Sequence, residues 1–313
     1  MDNLPKWHDI PELCKRRIFS YLDFEDRVAL RFISINDRKI IDSIPFEAKC
    51  IGLERSSVFK QGRVVVDGKN TLIFIKLFSG SSKFMKDGRY IRYGDTIDGP
   101  AQTFQKLMEH RHSKTHFLKI LDFKAEWLNR SEKLDVKHLM LDFTKNEPEE
   151  VSNWMDRIKG LECLTINLMG HTLFKGMAQL SPKLAHFPYV RINVETDCSN
   201  HDMLRLKATN LKLISCNINT TGVHHLIRSW LKRDVPEGSR FDLELPSVSF
   251  DRINLVTQGL EKTTMRKKNR LYDVVYMTDV NKVMVIKKKA SKVFCRVWNI
   301  EDLTKFMENY KAH

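Results

Sequence analysis

The sequence predicts an α+β fold: three short helices, then a β meander, then an irregular strand-helix body with a β-rich C-terminal cap. Three observations carry that reading. Apolar residues keep a helical period through residues 7–45. After Pro45 the chain turns to β-branched and aromatic runs separated by turn residues. From about residue 115 to 260 a short apolar strand pattern returns at intervals of roughly 24 to 29 residues.

In the first helix Asp9 is the expected N-cap, with Glu12 three residues on and Pro11 in the first turn. Ile10, Cys14, Ile18, Tyr21 and Leu22 recur on one face. Asp23 restarts the chain as a fresh cap, with Asp26 at the matching acidic position and Val28, Leu30, Phe32 and Ile33 as apolar residues. A third helix begins at Asn36, carries Ile40, Ile41 and Ile44, and is stopped by Pro45. Three helices in so short a span enclose little core, so the segment is expected to lean on something else.

The string from Ile10 to Asp42 resembles an F-box. The matching positions are Ile10-Pro11, Leu13, Ile18, Leu22-Asp23, Asp26, Leu30-Arg31, Ile33, Arg38 and Ile41. The chain departs from the pattern where many F-boxes have a late Trp, since Asn36-Asp37-Arg38 stands there. The resemblance implies docking to a Skp-type adaptor, and through it to a cullin, with Ile10, Pro11, Leu13, Ile18, Leu22, Leu30, Ile33 and Ile41 as adaptor-binding residues. An amphipathic helix laid into an adaptor groove is the physical form such docking takes. The implied domains are an F-box at 1–45 and a substrate-recruiting region at 46–313. The latter divides into a meander (46–100), strand-helix repeats (101–260) and a C-terminal β cap with a helix (261–313).

Within the meander the expected strands are Ala48–Leu53, Arg63–Val66, Leu72–Leu77 and Tyr90–Tyr93, with turns at Asp67–Asn70, Asp87-Gly88 and Asp98–Pro100. Ala101–His112 reads as a helix with Phe104, Leu107 and Met108 inward. The repeated strand pattern then starts at Val136, Leu161, Phe187, Leu211 and Arg240, with Glu149–Ile158 and Gly222–Lys232 as the clearest helices between. This period is leucine-rich-repeat-like, and strand–helix alternation makes neighbouring strands parallel. Curvature as a solenoid and a conventional α/β sheet both satisfy it. In a solenoid, Asp142, Asn167, Asn193 and Asn217 would flank the exposed face. The cap is expected as strands Tyr272–Met277, Val283–Lys287 and Val293–Trp298, followed by a helix over Ile300–Tyr310. The helical Gly222–Lys232 stretch ending Trp230-Leu231-Lys232, the Tyr272–Asp279 string and the terminal Val293–Trp298 strand are similar to the F-box-associated region of the expanded nematode F-box families. That likeness implies recruitment of a protein substrate of unspecified identity.

Composition narrows the function further. The chain is 42% hydrophobic and 29% charged, which is a folding rather than a disordered balance. No apolar run is long enough to span a bilayer and the N-terminus lacks the pattern of a signal peptide, so the protein is expected in cytoplasm, nucleus or both, without a membrane partner. The six cysteines are scattered singly, with no metal-ligand spacing, and read as buried reduced thiols. No phosphate loop, dinucleotide turn, nucleophile elbow or zinc-protease helix occurs, so neither an enzyme nor a cofactor is expected. His112 and His116 would share a helix face but lack a third ligand. The formal charge of +14 draws attention to a candidate anion patch of Arg266, Lys267, Lys268, Arg270, Lys287, Lys288 and Lys289. It offers a second reading, a binder of nucleic acid or phosphoprotein, though such runs are more often solvated faces.

Overall fold

The computed structural model describes residues 6–23, 26–27, 30–31, 34–56, 61–67, 70–76, 82–86, 89–94, 104–105, 108, 112–128, 133–170, 173–249, 252–267 and 270–308. The chain forms two compact units, Met1–Asp142 with Asn153–Leu161, and Phe143–Ser152 with Glu162–His313. Among the described residues no helix is long and apolar enough to cross a membrane.

The first unit opens with a 3-10 turn, Trp7–Asp9, and helix α1, Glu12–Tyr21. Asp26, Arg27 and Leu30 are helical, and Asp26 N donates to Asp23 Oδ1 at 3.0 Å, the cap expected of Asp23. Helix α2 covers Ile35–Asp42 and is capped by Ser34, whose Oγ accepts from Asp37 N at 3.0 Å. Strands β1 (Glu47–Ser56), β2 (Gln61–Val66), β3 (Asn70–Lys76), β4 (Ser82–Lys86) and β5 (Arg89–Gly94) pair antiparallel in sequence order. β4 was not among the expected strands. Gly68, Lys69, Leu77, Asp87, Gly88 and Asp98–Pro100 lie outside the described residues, as does most of the 101–112 helix. Phe104 and Met108 are helical and fully buried.

Strands β6 (Lys114–Leu121), β7 (Leu134–Phe143) and the short β8 (Ile158–Lys159) extend this sheet in parallel from β1. Register lines up Ile51, Leu118 and Leu139 in one buried row and Leu53, Ile120 and Leu141 in the next. Helix α3, Pro148–Asp156, carries Glu149 and Glu150 in its first turn, where they complement the helix dipole. Trp154 is wholly buried and its Nε1 donates to Phe123 O at 2.9 Å. His116 stands on β6 and His112 in the turn before it, so the expected helical pair is a strand residue and a turn residue. Asp142 is buried beside Lys119, 3.3 Å from its Nζ, rather than on an exposed flank.

The second unit alternates strand and helix: β9 (Cys163–Leu168), β10 (Leu173–Phe174), α4 (Met177–Leu184), β11 (Tyr189–Thr196), α5 (Asn200–Arg205), β12 (Asn210–Ser215), α6 (Thr220–Arg233) and β13 (Arg240–Glu244). β9 and β10 both pair with β11, which is followed by β12 and β13, all parallel. Beyond β13 the sheet continues antiparallel through β17 (Lys292–Asn299), β16 (Lys282–Lys289), β15 (Arg270–Tyr276) and β14 (Lys262–Lys267). β14 falls within the basic stretch and was not read as a strand.

Each turn from strand to helix is tied by a side chain. The Asp197 carboxylate accepts from Gly176 N at 2.8 Å and Met177 N at 2.9 Å, capping α4. Ser199 and Asp202 form a capping box on α5, and Asn219 Oδ1 accepts from Gly222 N at 3.0 Å at the start of α6. A Cβ on Gly222 would sit only 1.9 Å from Asn200 Oδ1, so the Asn200 side chain keeps its place against α6 only with glycine there. Asn219 therefore serves as a helix cap. Inward, Leu164, Val190, Leu211 and Phe241 form one buried row across four strands. Trp230 of α6 meets Phe241 edge to face at 5.2 Å, which puts the helix on that face of the sheet. Helix α7, Ile300–Glu308, buries Leu303 against Val274 and Val283. Of the six cysteines only Cys163, Cys198 and Cys295 are buried, whereas Cys14 and Cys216 are exposed and Cys50 is half-buried.

Candidate functional site

Helix α1 has two faces of unusual composition. One carries Lys15 and Phe19, four residues apart, and both are buried. Phe19 packs with Ile40 and Ile41 of α2, and Leu22, Leu30 and Ile44 close around them. So small a core is reinforced by charge. Asp37 receives Trp7 Nε1 at 3.0 Å and Ser34 Oγ at 2.9 Å, with Lys15 Nζ at 3.6 Å, and Lys15 also lies over the Trp7 ring. Burial works to raise the Asp37 carboxyl, but the bonds from Trp7 and Ser34 and the Lys15 charge outweigh it and hold the group below the usual carboxylate range. Arg27 reaches three carbonyls, those of Ser20, Leu22 and Pro45, and Arg31 pairs with Asp42 at 2.7 Å. These contacts satisfy the ends of short helices that have few neighbours to do so.

The opposite side of α1 is bare and mostly apolar, with exposed Arg17 among its apolar residues. Leu13 is 79% exposed, Tyr21 78% and Ile18 41%, with Cys14 between them. At 100° per residue these four fall on one side of the helix, away from Lys15 and Phe19. Ile35, at the start of α2, is 71% exposed. A small unit that draws charge inward and leaves leucine, isoleucine and tyrosine outside presents an interaction surface.

The F-box domain family matches residues 7–49. The chain carries an F-box domain. No curated protein and no solved structure matches it. An F-box domain implies binding of a Skp-type adaptor and, through that adaptor, a place in a cullin-based ubiquitin ligase; F-box proteins are typically non-catalytic substrate adaptors.

Of the eight residues expected to meet the adaptor, the structure exposes Pro11, Leu13 and Ile18 and half-exposes Ile10. Leu22 and Leu30 pack against the core, and Ile41 is buried within it. Ile41 is thus a packing residue, because its position on α2 faces Phe19. Ile33 lies outside the described residues. Tyr21 and Ile35 join the exposed set. Helical spacing pointed to Tyr21, but nothing in the spacing separated outward apolar residues from inward ones. Asp9 does not cap α1: it ends the 3-10 turn and accepts from Lys6 N at 3.2 Å, while Pro11 occupies the position before Glu12.

The basic stretch runs through strands β14, β15 and β16. Strand alternation sends neighbouring residues to opposite faces, so Lys288 points away from Lys287 and Lys289. Lys288 Nζ lies 2.6 Å from Asp273 Oδ2 and Lys262 Nζ 2.9 Å from the same atom, with Thr257 and Thr264 completing the cluster. Burial tends to raise the Asp273 carboxyl, yet the Lys288, Thr257 and Lys262 hydrogen bonds hold it down to about 2. Lys287 instead lies over the Phe294 ring at 5.5 Å. In the β14–β15 register Arg266 pairs with Leu271 and Lys267 with Arg270. Lys268 is outside the described residues. The run is therefore divided between two faces, and one of its lysines is internally neutralised.

Proposed function

We propose that this chain is the substrate-recognition subunit of a Skp–cullin–F-box ubiquitin ligase. Residues 1–45 hold the adaptor and residues 46–313 hold a protein substrate. The supporting observation is the bare row Leu13, Ile18 and Tyr21 on a helix whose other face is pinned by Phe19, Lys15 and Asp37. On this reading Pro11, Leu13, Ile18, Tyr21 and Ile35 enter the adaptor groove, and Ile10 borders them. The body is read as a degenerate leucine-rich-repeat-like region, a reading supported by the recurrent parallel strands and side-chain-tied turns from β9 to β13. No chemistry is assigned to the chain; it acts by raising the local concentration of substrate lysines beside the conjugating enzyme.

The test is capture of a Skp-type adaptor by the full chain. Parent protein should retain the adaptor, and Leu13→Asp with Ile18→Asp should release it while the melting temperature stays put. Absence of capture by the parent, or equal capture by the doubly charged variant, defeats the reading.

A further inference from the structure

The sheet of the second unit has one face covered by helices and one open, and register determines what the open face displays. Val190, Leu211 and Phe241 lie on the covered side, as the Trp230 contact with Phe241 shows. Their neighbours along each strand therefore point the other way. Pairing puts Arg191, Lys212 and Asp242 side by side in one row, which continues to Phe294 on β17. The adjacent row runs Tyr189, Asn210, Arg240 and Arg296. Arg296 stacks over the Trp298 ring at 4.1 Å, and Tyr189 is 40% exposed.

Four cations, Arg191, Lys212, Arg240 and Arg296, thus share two neighbouring rows with a single carboxylate, that of Asp242. Among the described residues none of the four makes an ion pair. The contrast with Lys292 is direct: it stands one row further along and closes on Glu244 at 2.6 Å. The hydrogen-bonded register of the sheet holds these cations side by side with Asp242 as the one carboxylate in their two rows, and aromatic rings stand between them. Such a surface is complementary to carboxylates carried on an extended chain, because side chains two residues apart in a strand match the spacing of positions along a neighbouring strand. Arginine forks suit that partner better than a point charge does.

We propose that the open face over Arg191, Lys212, Arg240 and Arg296 docks an extended, carboxylate-rich segment of a protein substrate. This rests on reading the chain as a recruiting subunit, and it names the chemistry of what is recruited. The aromatic rings of Tyr189, Phe294 and Trp298 give the segment apolar footholds between the charges.

Fluorescence anisotropy on the full chain tests it, with a labelled Glu/Asp-rich peptide, its Gln/Asn counterpart and single-stranded oligothymidine as probes. The acidic peptide should bind, its amide counterpart should bind roughly tenfold more weakly or worse, and Arg240→Glu and Arg296→Glu should each weaken the acidic peptide by roughly tenfold. Lys232→Glu, on the exposed side of α6, is the net-charge control and should leave binding unchanged. Should a reversal variant melt early, the pair Arg240→Gln and Arg296→Gln carries the same expectation. The proposal is overturned by three results: no binding of the acidic peptide, equal weakening by Lys232→Glu, or preference for oligothymidine through the same arginines. Adaptor capture by the arginine variants, measured in parallel, separates this outcome from failure of the adaptor reading. Those variants should keep the adaptor, and Leu13→Asp should keep the peptide.

Discussion

Helix α1 and strand β11 both alternate apolar with charged residues, and they sort them in opposite directions. α1 buries Lys15 beside Phe19 and shows Leu13, Ile18 and Tyr21, whereas β11 buries Val190, Ile192 and Val194 and shows Tyr189 and Asn193. The strand has helices stacked on its apolar face and is paired on both sides, so its aliphatic residues find cover. The helix rests on one narrow cluster of its own unit and cannot cover all of its apolar residues. An apolar residue left outside in a segment that also takes charge inside points to a partner, while charge on an open sheet face is ordinary until its neighbours fail to neutralise it. Removing outward residues from α1 should therefore disturb binding without stability, and removing inward ones should do the reverse.

The largest effect belongs to the covered side of the sheet. Trp230→Ala would empty the space against Phe241 and lower stability by about 3–5 kcal/mol in chemical denaturation. Asp273→Asn comes next. It leaves Lys262 and Lys288 facing each other without a carboxylate, at a cost of about 3 kcal/mol. Its pH signature is specific. Because the folded carboxyl lies below its ordinary value, its stabilisation is present above roughly pH 4 and is lost as the pH falls through about 2, so parent and variant should converge in strong acid.

Phe19→Ala sharpens the comparison within α1. It should cost about 3 kcal/mol in the helical segment and lose the adaptor with it, whereas Leu13→Asp should lose the adaptor while changing stability by no more than about 0.5 kcal/mol. Equal melting behaviour of the two variants would break the inward–outward division. The smallest effect is at Asp242, where burial pushes the carboxyl above its ordinary value against the pull of Lys212 and Lys292. A raised folded value means a contribution present in acid and lost as the pH rises through it, so Asp242→Asn should match the parent in acid and equal or exceed it at neutral pH.

Much of this was legible in the residues themselves. The F-box positions from Ile10 to Ile41 were legible by resemblance to a known family, while the Asp23 cap and most strands of the body follow from local spacing and turn chemistry, which act within a few residues along the chain. The missed strands β4 and β14 are rich in lysine, and a period-two pattern is hard to see where both faces carry polar residues. His112 and His116 matched a helical spacing, but pairing of β6 between β1 and β7 overrode it.

By itself the sequence determined that the N-terminus is an F-box-like set of helices, that strands and helices alternate behind it, and that the chain is rich in cations. Tertiary structure alone decided which of those residues look outward. It turned Ile41 and Leu30 inward onto Phe19 and left Leu13 and Tyr21 bare, tied Lys262 and Lys288 to Asp273, and gathered Arg191, Lys212, Arg240 and Arg296 on one face. The reason is physical. Periodicity along the chain assigns a residue to a face, but only packing between distant elements says which face is covered, and register between strands says which charges become neighbours.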